Sequence, residues 1–365
     1  MNGLKEAPTV LLLSGTCAVL LLYSCTTISL NGKPFQHPIL LTLVIFLGES
    51  MNLGIYSIFK KVRENRMEGT GNTHILTYGE VLQYKHSTLF AIGTLDSISN
   101  IILITGLGIT YPTVFILSCL SSLIFVHLLA YLYRENHGKT HQCIGLILIS
   151  IGIFSTCIYR IFAFDDWDRN KVMTGILLII FGSCMKSVSL VISDHNFKSL
   201  NNPALSVTGI KALYGFLMTV LYYVLFSFFK FFPPFQPYLD NIKDIPAEIE
   251  NYPGIVFALI GLCLLSTFYE ASASILTKNE KPEKKIAFDA VRVILVSFAA
   301  IMFEWEPQSI FFLGSGILTL FGLFVYADST LLIKVYKAIF IRPRRTVFNE
   351  DDATNITQSS PAETA

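Results

Sequence analysis

Residues 38–59 read PILLTLVIFLGESMNLGIYSIF, and this stretch decides the fold class. Glu49 is its only charged side chain. A helix needs about 20 consecutive apolar residues to cross the hydrocarbon core of a bilayer. The stretch satisfies that length and composition, so we interpret it as a transmembrane helix.

The same pattern recurs along the whole chain of 365 residues, of which 52% are hydrophobic and only 15% are charged. Soluble proteins carry about 25% charged residues, so the apolar surplus indicates contact with lipid. We predict an all-α integral membrane protein with ten transmembrane helices. The predicted spans are residues 8–30, 38–59, 87–107, 111–133, 141–160, 173–193, 204–232, 253–277, 285–304 and 308–331.

Basic residues alternate with acidic ones between these spans. The links after the second, fourth and eighth spans and the tail are basic, whereas the links after the fifth and seventh are acidic. With ten spans, every basic link falls on the same side as both termini, and the positive-inside rule places that side in the cytosol. Residues 332–365 form a polar tail that we expect to be cytosolic and disordered.

An even count of ten divides the chain into two sets of five, residues 1–160 and 173–331. Because five is odd, the second set is expected to be inverted relative to the first. Inverted repeats are a common plan of transporters, in which a small-molecule substrate binds between the repeats near the midplane. We therefore expect two inverted five-helix repeats in a lipid bilayer.

Ionisable residues inside predicted spans are the candidate functional residues, because each costs about 3 kcal/mol at the bilayer centre. They are Glu49, Asp96, Lys186, Lys211, Asp289 and Arg292, and we interpret them as lining or gating a substrate cavity. Glu270 is a seventh such residue, for which the sequence indicates no partner.

Each of these residues also has a structural interpretation. Asp289 and Arg292 are three positions apart, so they can pair on one helix face, either as a cavity wall or as a packing contact. Lys186 and Lys211 could each neutralise Glu49 or Asp96, or bind an anionic substrate. Lys211 could alternatively extend to the membrane surface. The polar neighbours of Asp96 suggest a water-lined face.

Glycines in the fifth and tenth predicted spans form a second pattern. Small residues let membrane helices approach closely. Gly145 and Gly152 on one span, and Gly314, Gly316 and Gly322 on the other, predict that these spans pack together or form the face of a homodimer.

Several functions lack their sequence signals. There is no phosphate-binding loop of the Walker type, no HExxH motif and no cluster of histidine and cysteine with metal-ligand spacing. The net charge of +1 gives no indication of nucleic-acid binding. We therefore expect no cofactor, no metal site, no nucleic-acid partner and no enzymatic activity.

Short motifs along nearly the whole chain resemble the drug/metabolite transporter superfamily, and most closely the F branch of the solute carrier 35 family, member-six type. The sequence FQHP at 35–38 is followed by FLGE at 46–49. Further along come TG at 174–175, LYG at 213–215, DAVR at 289–292 and WE at 305–306. No single motif is specific, but their order and spacing are.

The resemblance implies a fold like that of nucleotide-sugar transporters and residence in endolysosomal, vacuolar or Golgi membranes. Two departures lie at expected cavity positions. The family's Gln-x-x-Arg-Gly motif is replaced by ILSCL at 116–120, without the arginine, and Lys211 stands where the family has a glutamate. The substrate of relatives therefore does not transfer to this chain.

The favoured hypothesis is a secondary transporter, independent of ATP, that moves a small solute by alternating access. A nucleotide-sugar-like compound, a metabolite or a drug would each be compatible with it. The alternative is a membrane receptor or interaction protein on the same fold that no longer transports. A lipid-modifying enzyme is a third possibility, for which the sequence shows no convergent catalytic set.

Overall fold

The computed structural model describes residues 3–27, 29–30, 33–68, 85–134, 139–162, 166–200, 203–228, 244–279, 282–305 and 310–327. Within these ranges the only strands are β1 (Ser29–Leu30) and β2 (Lys33–Pro34), which form a short antiparallel pair between the first two long helices. Everything else with regular structure is helical, so the predicted all-α membrane class is confirmed.

The helices of the described ranges follow one another with short connections. They are α1 (Gly3–Thr27), α2 (Pro38–Glu68), α3 (His86–Ile109), α4 (Pro112–Cys119), α5 (Ser121–Arg134), α6 (Thr140–Phe162), α7 (Asp166–Leu200), α8 (Ala204–Phe228), α9 (Asp244–Asn251), α10 (Gly254–Asn279), α11 (Pro282–Ala290), α12 (Arg292–Met302) and α13 (Ile310–Ala327).

Within the ranges that the structure describes, eight segments are long and apolar enough to span a membrane, and they coincide with the first eight predicted spans. The fourth of these segments, residues 112–132, consists of α4 followed by α5. At the ninth predicted span the helix is interrupted at Val291, between α11 and α12. At the tenth, α13 supplies a shorter apolar helix over 314–327. That these two segments also cross the membrane, which would make ten crossings in all, stays a prediction.

The structure defines three helix boundaries more closely, and two of them differ from the predicted positions. The second helix continues past the predicted span to Glu68, so the start of the predicted polar loop is helical. The acidic link after the fifth span is shorter than predicted, because α7 begins at Asp166. The third and fourth predicted spans leave only residues 108–110 for a tight turn between them, and the structure confirms it, since α3 ends at Ile109 and Pro112 opens α4. The predicted end of the seventh span and the tail lie outside the described residues.

Long helices pack in pairs that are distant in sequence. α1 packs on α10, α2 on α8, α3 on α7, and α6 on α13. The two interrupted helices also meet, with α4 against α12 and α5 against α11. Each pair joins a helix before residue 163 to one after residue 165, so the two parts of the chain interleave.

The glycines of α6 and α13 explain their close packing. A Cβ on Gly145 would lie 2.6 Å from the backbone nitrogen of Tyr326 and 2.7 Å from the carbonyl oxygen of Gly322. The predicted contact between these two spans is therefore confirmed within one chain. Gly316 has no atom within 4 Å of such a Cβ, so it does not contribute. The predicted homodimer face stays a prediction.

The bundle exposes an apolar surface, as expected in lipid, and buries polar side chains among the apolar ones of its interior. Large apolar side chains project outward from many helices, among them Leu217 at 61% and Phe257 at 77% exposed. Serines and threonines are buried between helices, where they donate to backbone carbonyls or to each other. Buried charges then require partners inside the same interior.

Candidate functional site

A cavity of about 210 Å³ lies in the middle of the helix bundle. Its wall is mostly apolar, with side chains such as Val19, Leu22, Ile45, Leu103, Phe115 and Leu262. Six ionisable residues interrupt that wall, namely Glu49, Lys186, Glu270, Lys285, Asp289 and Arg292. The volume falls below the range of about 300–1,000 Å³ that is typical of sites for drug-sized ligands.

Four charged side chains form a chain beside the cavity, and three of them are buried while Lys186 is 30% exposed. The ammonium of Lys186 lies 3.0 Å from one oxygen of Asp96, and that of Lys211 lies 3.3 Å from the other. Lys211 also lies 2.5 Å from Glu270. We call these four residues the charge chain. Its two positive and two negative charges cancel, which is the condition under which such residues are tolerated at this depth.

Close backbone packing brings the charge chain together. A Cβ on Gly93 of α3 would lie 2.6 Å from the carbonyl oxygen of Lys211 on α8. Asp96 is one turn further along α3, so this contact places its carboxylate beside Lys211. Ser189 of α7 donates a hydrogen bond of 2.7 Å to Asp96, which is itself only 1% exposed. Asp96 and Lys211 both line an adjoining cavity of about 30 Å³.

Glu49 lines the central cavity and differs from the charge chain in having an unpartnered oxygen. The residue is 4% exposed, and its Oε2 atom has no hydrogen-bond partner among the described residues. Its position is fixed by the backbone, because Asn52 donates both to the carbonyl of Glu49 and to that of Thr267 on α10. A Cβ on Gly48 would collide with the backbone of α10, so α2 and α10 touch directly here.

Asp289 and Arg292 form the predicted ion pair, with 3.0 Å between Oδ1 and Nε. The pair does not lie on one continuous helix, however, because it flanks the interruption at Val291. Tyr269 of α10 donates a hydrogen bond of 2.7 Å to Asp289, and its ring lies 5.0 Å from the guanidinium of Arg292. Gly15 leaves room for that guanidinium on the side of α1.

Lys285 is a cavity residue that the analysis of spans did not identify. It stands at the first position of the ninth predicted span and was counted with the basic cytosolic link before it, yet it is 7% exposed and lines both cavities. Its ammonium lies 5.7 Å from the centre of the Tyr269 ring, and it forms no ion pair within the described part of the chain. Glu270 is within electrostatic range of it.

Two interpretations of the sequence are wrong. Lys211 does not extend to the membrane surface, because it is 6% exposed and paired twice. The polar residues near Asp96 do not line a watery face as a group. Ser97 bonds Thr219 at 2.6 Å and Ser99 bonds the carbonyl of Gly182 at 2.8 Å, so both serve helix packing. Glu270, for which no partner was predicted, is bound by Lys211.

Comparison with known proteins is consistent with the motifs quoted above. No family model matches the chain. Over 280 residues, 74% of this chain and 73% of its relative, the sequence is 21% identical to human solute carrier family 35 member F6. The chain resembles the solute carrier 35 family. A solved crystal structure aligns with 91% of this chain over 99% of its own chain. The TM-score is 0.55 and the sequence identity 16%, which shows a shared fold.

One of the two departures from the solute carrier 35 pattern has a physical explanation. The ammonium of Lys211 lies between the carboxylates of Asp96 and Glu270. A glutamate at position 211 would place a third carboxylate there and remove the ammonium that pairs with both of the others. The other departure, ILSCL in place of the arginine-containing motif, contributes apolar wall through Ile116 and Leu120.

Proposed function

We propose that this protein is a secondary carrier that moves a small solute across an internal membrane by alternating access. The observation that carries the proposal is the central cavity, which is lined by helices, mostly apolar, and supplied with a few charged side chains. Sites for small molecules have this composition. The named activity of the human relative, a solute carrier, points in the same direction.

The pairing of helices supports two inverted five-helix repeats, residues 1–160 and 173–331. Numbered by predicted span, the pairs are 1 with 8, 3 with 6, 2 with 7, 4 with 9, and 5 with 10. Exchanging every span with the one five places away leaves this set of pairs unchanged. That invariance is expected when two repeats are related by a twofold axis in the membrane plane.

Within this proposal both termini are cytosolic and the membrane is endolysosomal, vacuolar or Golgi. Glu49, Lys186, Asp289 and Arg292 contact the solute or gate its path, while Asp96 and Lys211 hold the charge chain beside it. No bond in the solute is made or broken. The described residues contain no group of three or more histidine, cysteine, aspartate or glutamate side chains placed to hold a metal ion.

The test is counterflow in liposomes that contain the purified protein. Candidate loads are nucleotide sugars, amino acids, small peptides and organic cations. Asp289→Asn and Arg292→Gln should each abolish exchange, because each leaves a buried charge unpaired at the cavity wall. Glu250→Gln on the exposed face of α9 is the matched control and should exchange normally.

Thermal unfolding in detergent must show that the inactive variants are folded. Exchange that survives both substitutions would make the pair a packing contact only. If folded parent protein exchanges none of the loads, the receptor or interaction protein becomes the better proposal, and the missing arginine at 116–120 would suit it.

A further inference from the structure

The six charges on the cavity wall are not equally satisfied. Asp289 pairs with Arg292, and Lys186 and Glu270 belong to the neutral charge chain. Two remain, Glu49 with its unpartnered oxygen and Lys285 without an ion pair among the described residues. They are opposite in sign, and no ion pair joins them to each other in the part of the chain that the structure describes.

Both groups are firmly held at the cavity. Glu49 is 96% shielded from solvent at the contact of α2 with α10, and Lys285 is buried against the Tyr269 ring. Neither can relax into water, and an unpaired buried charge is costly. The structure thus offers one buried acceptor for a cation and one buried donor for an anion on the wall of the same cavity.

We infer that the solute is a small zwitterion with an apolar body, whose cationic group binds Glu49 and whose anionic group binds Lys285. This inference rests on the proposed function and names its substrate class. The net charge of the lining is zero, so a zwitterion neutralises both unpaired groups at once. A singly charged solute leaves one of them unpaired, and a nucleotide sugar adds excess negative charge to a neutral cavity.

The probes are three compounds of one shape that differ only in charge. L-leucine carries both charges, L-leucinamide carries only the ammonium, and 4-methylpentanoate carries only the carboxylate. Binding is measured by thermal stabilisation of the full chain in detergent, and exchange is measured by counterflow in liposomes. A second set, with a larger apolar body, consists of L-phenylalanine, L-phenylalaninamide and 3-phenylpropanoate.

The parent protein should bind and exchange the amino acid at least about tenfold better than either singly charged analogue. Glu49→Gln should lose the preference over the carboxylate-only compound, because the ammonium no longer gains a counter-charge. Lys285→Met should lose the preference over the amide for the corresponding reason. The controls, Glu250→Gln and Lys61→Met, carry the same chemical changes at exposed positions and should keep both preferences.

The outcomes separate this inference from the carrier proposal. Selective binding of the amino acids without exchange keeps the zwitterion assignment and refutes the carrier. Exchange of a nucleotide sugar, or of another load with charges of one sign only, without a preference for the amino acids would support the carrier proposal. It would overturn the zwitterion inference. Absence of both binding and exchange for both amino acids overturns the zwitterion as well.

Discussion

Lys211 is the member of the charge chain whose removal should be most damaging. It contacts two carboxylates, Asp96 at 3.3 Å and Glu270 at 2.5 Å, and all three side chains are at most 8% exposed. Lys211→Met keeps most of the length of the side chain and deletes its charge. Asp96 retains Lys186 and Ser189, so Glu270 is the residue that loses its ion-pair partner.

Removing one partner of a buried ion pair costs about 3–5 kcal/mol, because the remaining charge stays buried. We expect a loss of that size in the free energy of unfolding, measured from denaturation in mixed detergent micelles. Adding Glu270→Gln should restore most of it, since the remaining pair of Lys186 with Asp96 is neutral. Adding Asp96→Asn instead should restore little, because it leaves both Glu270 and Lys186 unpaired.

The difference between the two double variants is the decisive quantity. Lys61→Met, at an exposed position, supplies the control and should change stability by less than about 0.5 kcal/mol. A Lys211→Met protein as stable as the parent would refute the reasoning. Equal recovery by both double variants would also refute it, because the pairing order in the charge chain would then be wrong.

Three further predictions concern close contacts inside the protein. Gly145→Ala should destabilise by about 1–3 kcal/mol in the same unfolding assay, because its Cβ meets backbone of α13, whereas Gly316→Ala, with open space, should not destabilise. Gly15→Ala should reduce counterflow of folded protein, because its Cβ lies 2.5 Å from the guanidinium of Arg292, while Gly54→Ala should exchange like the parent. His37→Gln removes the contact of 2.8 Å between His37 and a carboxylate of α9 and should lower the free energy of unfolding by about 1.5–3 kcal/mol. An unchanged midpoint of unfolding would argue against that contact.

Hydropathy was sufficient to predict the first eight spans, because length and apolar composition are properties of a segment alone. The third span, predicted as 87–107, is α3 at His86–Ile109. The interruption at Val291 was not predicted, since neither glycine nor proline marks it. The turn before α4 was predicted, because Pro112 marks it.

Partners across the bundle were harder to predict. The pair Asp289 and Arg292 was predicted because both residues lie within one turn of the sequence. The partner of Glu270 is 59 positions away on another helix, and nothing in a single sequence states which helix faces meet. Lys285 was assigned to a solvent link because it stands among other lysines, although the fold turns it inward.

The charge chain restricts how the two parts of the bundle can move. Asp96 is its only member before residue 160, whereas Lys186, Lys211 and Glu270 all follow residue 173. Rocking one part against the other would stretch both ion pairs of Asp96 unless the rotation axis passed close to them. If the two parts rock as the proposed carrier requires, we expect the rotation axis to pass close to the carboxylate of Asp96, so that its distances from the two lysines stay constant.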